Sequence, residues 1–149
     1  MTRFGFGDWV VVTDLPLRCL PRPSFERSNK FLGVGVVPAL EPRRRIRRWD
    51  HRWKAEDGST LIALATVAGR FLIRFPSLCD FLLDPFAREI SIESARKLDP
   101  DELEHALLDQ LLPRVLAEFG ELSLHASAVR LDAGLLLFVG ESGRGKSTL

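Results

Sequence analysis

The sequence is short of several residue types, and each shortage excludes a class of protein. It has 149 residues, with no tyrosine, one methionine and only two cysteines, Cys19 and Cys79. Two thiols so far apart fit neither a disulfide framework nor the close spacing of a metal or redox motif, so we expect both to be reduced. The formal net charge is only +1, which provides no global field to attract nucleic acid or an anionic membrane.

Long apolar runs are also absent. The run at residues 9–12 is too short for the core of a signal peptide. The longest run, residues 61–69, falls well short of the roughly 20 residues that a membrane-spanning helix needs. Hydrophobic residues still make up 46% of the chain and charged residues 28%, which is the balance of a folded globular protein. We therefore expect a cytoplasmic protein with no membrane partner.

Residues 1–98 are predicted to be rich in strands and to lack an amphipathic helix. Short apolar or β-branched runs bounded by glycine, proline or aspartate are typical of strands. They occur at residues 9–13, 31–37, 61–67, 71–75, 81–83 and 89–92. The third and fourth runs are separated by Ala68-Gly69-Arg70, which predicts a hairpin. We assign residues 1–98 to a small β-rich N-terminal domain.

A helix is predicted to begin after Asp99. An aspartate can cap a helix, and Pro100 suits its first position. Apolar residues then recur at a spacing of four, which indicates one buried face. Pro113 lacks the N–H that would bond to Asp109, so we expect the helix to be kinked near Asp109. Gly120 is the predicted end of the helix.

The most specific motif is a phosphate-binding loop at residues 140–147, Gly-Glu-Ser-Gly-Arg-Gly-Lys-Ser. In the pattern GxxxxGK[ST], a strand leads to a glycine-rich turn whose backbone N–H groups surround phosphate oxygens. The apolar run at residues 135–139 precedes the loop directly, and it predicts a strand buried on both faces of an α/β layer. The parent protein is therefore expected to bind a nucleoside triphosphate.

The residues of this loop have different expected roles. The nucleotide-binding set is Gly140, Glu141, Ser142, Gly143, Arg144, Gly145, Lys146, Ser147 and Thr148. Its glycines allow a backbone approach that a Cβ would block. Lys146 is expected to reach the β- and γ-phosphates, and the Ser147 Oγ to ligate Mg²⁺. Glu141 and Arg144 are less constrained. ATP and magnesium are therefore the expected cofactors.

The segment Leu124-His125-Ala126-Ser127-Ala128-Val129, with the turn, strand and loop that follow, resembles the start of the catalytic domain of bacterial HPr kinase/phosphorylase and its HPr-kinase-like relatives. The lead-in of those relatives is similar at Arg74-Phe75-Pro76, at Asp80-Phe81 and at residues 107–113. The resemblance covers about residues 71–149. It implies ATP-dependent phosphoryl transfer to a hydroxyl, with His125 as a catalytic residue flanking the phosphate site. Alternatively, His125 is a solvent-facing or hydrogen-bonded strand residue.

This resemblance implies an α/β fold in the second part of the chain. Residues 99–149 would contain a helix and the truncated start of a P-loop nucleotide-binding domain, similar to that of HPr kinase and of ATP-dependent phosphoenolpyruvate carboxykinase. The family's catalytic acids lie downstream of the loop, so residues 1–149 alone are expected to lack phosphoryl-transfer activity.

The phosphoryl acceptor, a protein serine or a small molecule, stays open. HPr itself is not supported, because Thr148 stands where HPr kinase usually has an acid. A homo-oligomeric full-length form is also left open.

The loop also resembles that of the ATP-binding cassette family, which reads Gly-x-Ser-Gly-x-Gly-Lys-Ser-Thr-Leu. That alternative, a cassette-type ATPase, predicts an adenine-stacking aromatic residue, commonly tyrosine, well before the loop lysine. The chain has no tyrosine, and the nearest aromatic candidate, Phe119, is predicted to end a helix. The HPr-kinase-like interpretation is therefore preferred.

A basic segment from Arg43 to Lys54 suggests a different class of function. It contains seven basic residues, one acid and two tryptophans. Such a pattern can form a nucleic-acid or phosphoprotein docking module without catalysis. The second interpretation is a solvated loop whose tryptophans pack on the β-rich domain. We favour the second, and expect no nucleic-acid partner, because the rest of the chain is net negative.

Overall fold

The computed structural model describes residues 1–6, 8–20, 28–38, 44–94, 96–124 and 126–140. The chain divides into two compact units, Met1–Gln110 and Leu111–Leu149. The division at residue 98 expected from the sequence stays a prediction. Within the described residues, no helix is both long and apolar enough to cross a membrane.

An eight-stranded mixed sheet forms most of the first unit. Its strands are β1 (Thr2–Phe6), β2 (Trp9–Thr13), β3 (Phe31–Pro38), β4 (His51–Lys54), β5 (Thr60–Val67), β6 (Arg70–Arg74), β7 (Asp80–Asp84) and β8 (Glu89–Ser94). Their order across the sheet is β1-β2-β3-β8-β7-β6-β5-β4. The pairs β2–β3 and β3–β8 are parallel, and the other neighbours are antiparallel. Strands β4 to β8 are thus a meander whose last strand joins β3.

Every strand predicted in residues 1–98 is confirmed, with ends that differ by a few residues. The hairpin of β5 and β6 turns through Ala68 and Gly69, whose φ angles are 51° and 76°. Two successive positive φ angles are typical of a type I′ turn, which matches the twist of the flanking strands. Strands β1 and β4 were not predicted. The charged residues of β4 obscure the alternation that would have indicated a strand.

The core of the sheet lies at its central strands. Leu72, Phe81 and Ile92, on three neighbouring strands, are fully buried. In β7 four consecutive residues, from Asp80 onward, are buried. Because consecutive strand residues face opposite sides of a sheet, the sheet is covered on both faces at its centre.

An interrupted helix follows the sheet. It consists of α1 (Pro100–His105), a π-helical segment (Ala106–Leu111) and α2 (Leu112–Glu118). The carboxylate of Asp99 accepts hydrogen bonds from two backbone N–H groups of the first turn, so the predicted cap is confirmed. The wider π-helical turn includes Asp109, the position where Pro113 has no N–H to donate. The helix is therefore irregular at the place where the kink was predicted.

The second unit contains a two-stranded antiparallel sheet of β9 (Ala126–Leu131) and β10 (Gly134–Val139). Residues 121–124, which lie before β9, have no regular structure. Large apolar side chains of the hairpin are exposed: Leu135 is 64% exposed and its neighbour Leu136 is 46% exposed.

The predicted α/β fold class, with a P-loop nucleotide-binding domain, is wrong. The described residues are mostly β: an eight-stranded mixed sheet and a hairpin, with one interrupted helix. Strand β10 was expected in a layer covered by helices, but in the described part of the chain it pairs only with β9 and is exposed. A continuous apolar run indicates an extended chain, but it does not determine which strands pair with it or what covers them.

Candidate functional site

The predicted phosphate-binding loop follows β10 in the chain. The strand runs to Val139, and Gly140 follows directly. A Cβ placed on Gly140 would meet no described atom within 4 Å. A strand that leads straight into the first glycine is the local context that the motif requires.

The remaining residues of the predicted nucleotide site lie outside the described residues. They are His125, Glu141, Ser142, Gly143, Arg144, Gly145, Lys146, Ser147 and Thr148. Their roles, including magnesium ligation by Ser147, stay predictions.

The register of the hairpin relates the two parts of the predicted site. Val139 is paired with Ala126, whereas Gly134 is paired with Leu131 beside the turn. The open end of the hairpin therefore carries Ala126 on one strand and Val139 on the other. His125 immediately precedes Ala126 in the chain, so the histidine segment and the loop are both attached to this open end.

The described hairpin supplies no charge near the loop. Its ionisable side chains within residues 126–140 are Arg130 and Asp132. Arg130 is paired with Leu135, and Asp132 lies in the turn, so both are at the closed end. The predicted ligands of a triphosphate are the loop's own backbone N–H groups and Lys146, and that of magnesium is the Ser147 hydroxyl. These donor types fit Mg-ATP.

A charged row crosses one face of the large sheet. Its members are cross-strand partners on successive strands from β4 to β8: Arg52, Ala63, Arg74, Asp80 and Glu93. Directly paired residues project from the same face of a sheet. Arg74 donates from Nη2 to Asp80 Oδ2 at 2.6 Å and from Nε to Oδ1 at 2.9 Å. The Asp80 side chain is only 3% exposed and that of Arg74 is 17% exposed, so the carboxylate of this bidentate pair is buried and the guanidinium is half-buried.

The first described part of the basic segment is attached to this row. Arg44 donates from Nη2 to a Glu93 oxygen at 2.8 Å. Its backbone carbonyl accepts from Arg74 Nη2 at 3.1 Å. Arg44 is therefore held over β6 and β8 at once. Arg43, the first residue of the segment, lies outside the described residues.

The tryptophan that precedes β4 is attached to the same row. The guanidinium carbon of Arg74 lies 5.2 Å from the ring centroid of Trp49, and that of Arg52 lies 5.9 Å from it. Next to it, the Asp50 carboxylate accepts from the backbone N–H of Thr66 on β5 at 2.7 Å. Trp49 thus packs on the sheet, as the second sequence interpretation proposed, but residues 51–54 form a strand and not a loop. The partners of the basic segment are not tested by this packing.

A second buried acid connects α1 to the chain after β2. Glu104 is 6% exposed, and its Oε1 accepts from the backbone N–H groups of Arg18 and Cys19, each at 2.7 Å. These residues line a cleft of about 240 Å³ together with His105, which pairs with Asp109. The Glu104 carboxylate is the main cause that raises the pKa of the Cys19 thiol. A raised pKa keeps the thiol protonated, which is unfavourable for a nucleophile.

Sequence inspection alone did not identify Glu104 or the charged row. In the sequence, the row is visible only as single charged residues at or beside the ends of apolar runs. Such residues are also common on solvated surfaces. Among the described ranges, no cluster of three or more His, Cys, Asp or Glu side chains could hold a metal ion.

Comparison with known proteins gives no family assignment. No protein-family model, curated protein or solved structure matches the chain. The functional interpretation therefore depends on the residues and their geometry.

Proposed function

We propose that this protein binds Mg-ATP at the open end of the β9–β10 hairpin, through residues 140–148, and transfers a phosphoryl group to a hydroxyl in the manner of HPr-kinase-like proteins. One observation supports this most directly. Val139, which leads into the loop, is paired with Ala126, which follows His125. The two most specific parts of the family resemblance are therefore attached to the same end of one hairpin.

The residue types of the loop suit a triphosphate. Gly143 and Gly145 have no Cβ, so their backbone N–H groups can approach phosphate oxygens closely. Lys146 adds a positive charge at the β- and γ-phosphates, and the Ser147 hydroxyl adds an oxygen ligand for magnesium. Magnesium, when bound, neutralises charge on the transferring phosphoryl group. His125 is assigned a catalytic role beside the phosphates.

The setting of this activity is proposed to be the cytoplasm. ATP is available there, and thiols stay reduced. Cys19 and Cys79 are not joined in a disulfide, which is compatible with that compartment. The acceptor hydroxyl is a protein serine or a small molecule.

Replacing Lys146 tests the nucleotide site. In the full-length protein, Lys146→Ala should weaken Mg-ATP binding by about tenfold or more, which corresponds to about 1.4 kcal/mol. Isothermal titration calorimetry measures this affinity. Arg130→Ala is the matched control, because it removes the same charge from the closed end of the hairpin, outside the proposed nucleotide-binding residues. Equal affinities of Lys146→Ala and the unmodified protein would exclude the assignment.

Phosphoryl transfer is tested separately from binding. The full-length protein is incubated with Mg-ATP labelled at the γ-phosphate and with serine-containing acceptors, and both labelled acceptor and free phosphate are measured. His125→Gln should lower transfer while leaving ATP affinity unchanged. Hydrolysis without transfer to any acceptor would favour the cassette-type alternative. Unchanged transfer in His125→Gln would make this histidine a structural residue.

A further inference from the structure

Strand β4 is an outermost strand of the large sheet. It pairs with β5 on one side, and no strand of the described chain lies on its other side. A sheet edge of this kind can add an extended chain as a further strand, held by main-chain hydrogen bonds. Trp53 pairs with Ile62 and Lys54 pairs with Thr60, so the unpaired extra residue, Leu61, lies in β5 and not in β4. The alternation of side chains along β4 itself is therefore kept.

This edge is surrounded by exposed positive charge. Five cations of β4 and the preceding segment are exposed: Arg45, Arg47, Arg48, Arg52 and Lys54. Within the described part of the chain, none of the five forms an ion pair with an acid. The nearest acid in the segment, Asp50, already accepts a hydrogen bond from Thr66. The next acids, Glu56 and Asp57, lie in the turn after Lys54.

The backbone that carries these cations is held in place. Arg44 and Trp49 are attached to Arg74 of the charged row, and Asp50 is attached to β5. A surface that is already ordered loses little conformational entropy when a partner binds. The cations therefore form a preorganised patch beside an open strand edge.

The tryptophans do not offer a platform for stacked bases. The Trp49 ring contacts two guanidinium groups of the protein itself. The ring centroids of Trp53 and His51 lie 4.2 Å apart, in an edge-on arrangement. Binding of single-stranded nucleic acid relies on aromatic faces that stack on bases. What this surface offers instead is positive charge and a strand edge, which together suit an acidic polypeptide.

We propose that an extended acidic segment of a partner protein docks along β4 as an added strand. Arg52 and Lys54 are two residues apart, so they lie on the same face of β4. The docked segment therefore carries Asp or Glu at alternate positions that face these two cations, and further acids toward Arg47 and Arg48. None of these residues belongs to the proposed nucleotide loop.

Fluorescence anisotropy with the full-length protein tests the docking site. The probe is a labelled peptide of about eight residues that alternates Glu with β-branched residues. A peptide with Gln in place of Glu should bind about fivefold more weakly or worse, and added salt should weaken the acidic peptide further. A peptide that is N-methylated at alternate backbone positions should lose binding, because it cannot pair with a strand edge. Equal binding of the Glu and Gln peptides, or unchanged binding of the N-methylated one, overturns the proposal.

Protein variants locate the site. Arg52→Gln with Lys54→Gln should weaken the acidic peptide by about fivefold or more. The matched control is Arg3→Gln with Lys97→Gln, which removes the same charge away from β4. Arg3 lies on the opposite outermost strand, and Lys97 lies after β8. The control should change affinity by less than about twofold. Equal losses of affinity in the two variants would contradict docking at β4 and indicate general polyanion binding. Tighter binding of single-stranded DNA than of the peptide would do the same.

Discussion

Replacing Arg74 by methionine is expected to destabilise the large sheet strongly. The change removes the partner of a carboxylate whose side chain is 3% exposed, that of Asp80. It also removes the donor to the Arg44 carbonyl and one guanidinium beside Trp49. Methionine replaces the unbranched apolar part of the arginine side chain but not its guanidinium, so the main loss is of charge and hydrogen bonds.

The magnitude follows from the burial of the pair. Removing one partner of a buried ion pair leaves an uncompensated charge and costs about 3–5 kcal/mol. A typical domain has only about 5–15 kcal/mol of stability, so Arg74→Met should lower the unfolding midpoint markedly. Replacing Asp80 as well removes the stranded charge. The double variant Arg74→Met with Asp80→Leu should therefore recover to within about 1–2 kcal/mol of the unmodified protein.

Urea unfolding of the four members of this double-mutant cycle measures these free energies. The control is Arg70→Met, which removes a more exposed pair with Asp84: the two side chains are 52% and 24% exposed. That change should cost less than about 1 kcal/mol. The reasoning is refuted if Arg74→Met costs no more than Arg70→Met, or if the double variant is no more stable than Arg74→Met.

Three further predictions concern a turn and two acids. Ala68 has a φ of 51°, a conformation that asparagine tolerates better than alanine. Ala68→Asn should therefore stabilise the protein by about 0.5–1 kcal/mol in urea unfolding. No gain in stability would contradict a type I′ turn. Glu104→Gln should lower the pKa of the Cys19 thiol toward its usual value, since the Glu104 charge is the main cause of its rise; the pH dependence of thiol alkylation measures this, and an unmoved profile would contradict it. The hydrogen bond from the N–H of Ala87 is the main cause that lowers the pKa of Asp84 in the folded protein. The stabilisation by this carboxylate is therefore fully present above the pKa that it has in the unfolded chain, and it is lost as the pH falls through its pKa in the folded protein. Asp84→Asn should therefore be less stable than the unmodified protein near neutral pH, with the gap closing below about pH 4; a gap that stays constant with pH would contradict this.

The sequence by itself determined the strands, turns and helix ends whose conformation depends on residues that are close together in the chain. The β-branched run of β2, the turn at Ala68 and Gly69, the cap at Asp99 and the helix disturbance at Pro113 were all predictable. Each depends on backbone preferences within a few residues, which a sequence pattern displays directly. The same holds for the apolar strand that leads into Gly140, since a strand followed by a glycine-rich loop is a local pattern.

Only the tertiary structure decided which distant segments meet. The α/β assignment failed because the apolar run of β10 showed an extended strand but not its antiparallel partner or its exposure. The charged row also required the register of five strands, which brings Arg74, Asp80 and Glu93 into line from three separate runs. Glu104 and Cys19 are 85 positions apart in the chain. Pairings of this kind depend on packing and on the satisfaction of buried charge, which are properties of the whole fold and leave little trace in local sequence.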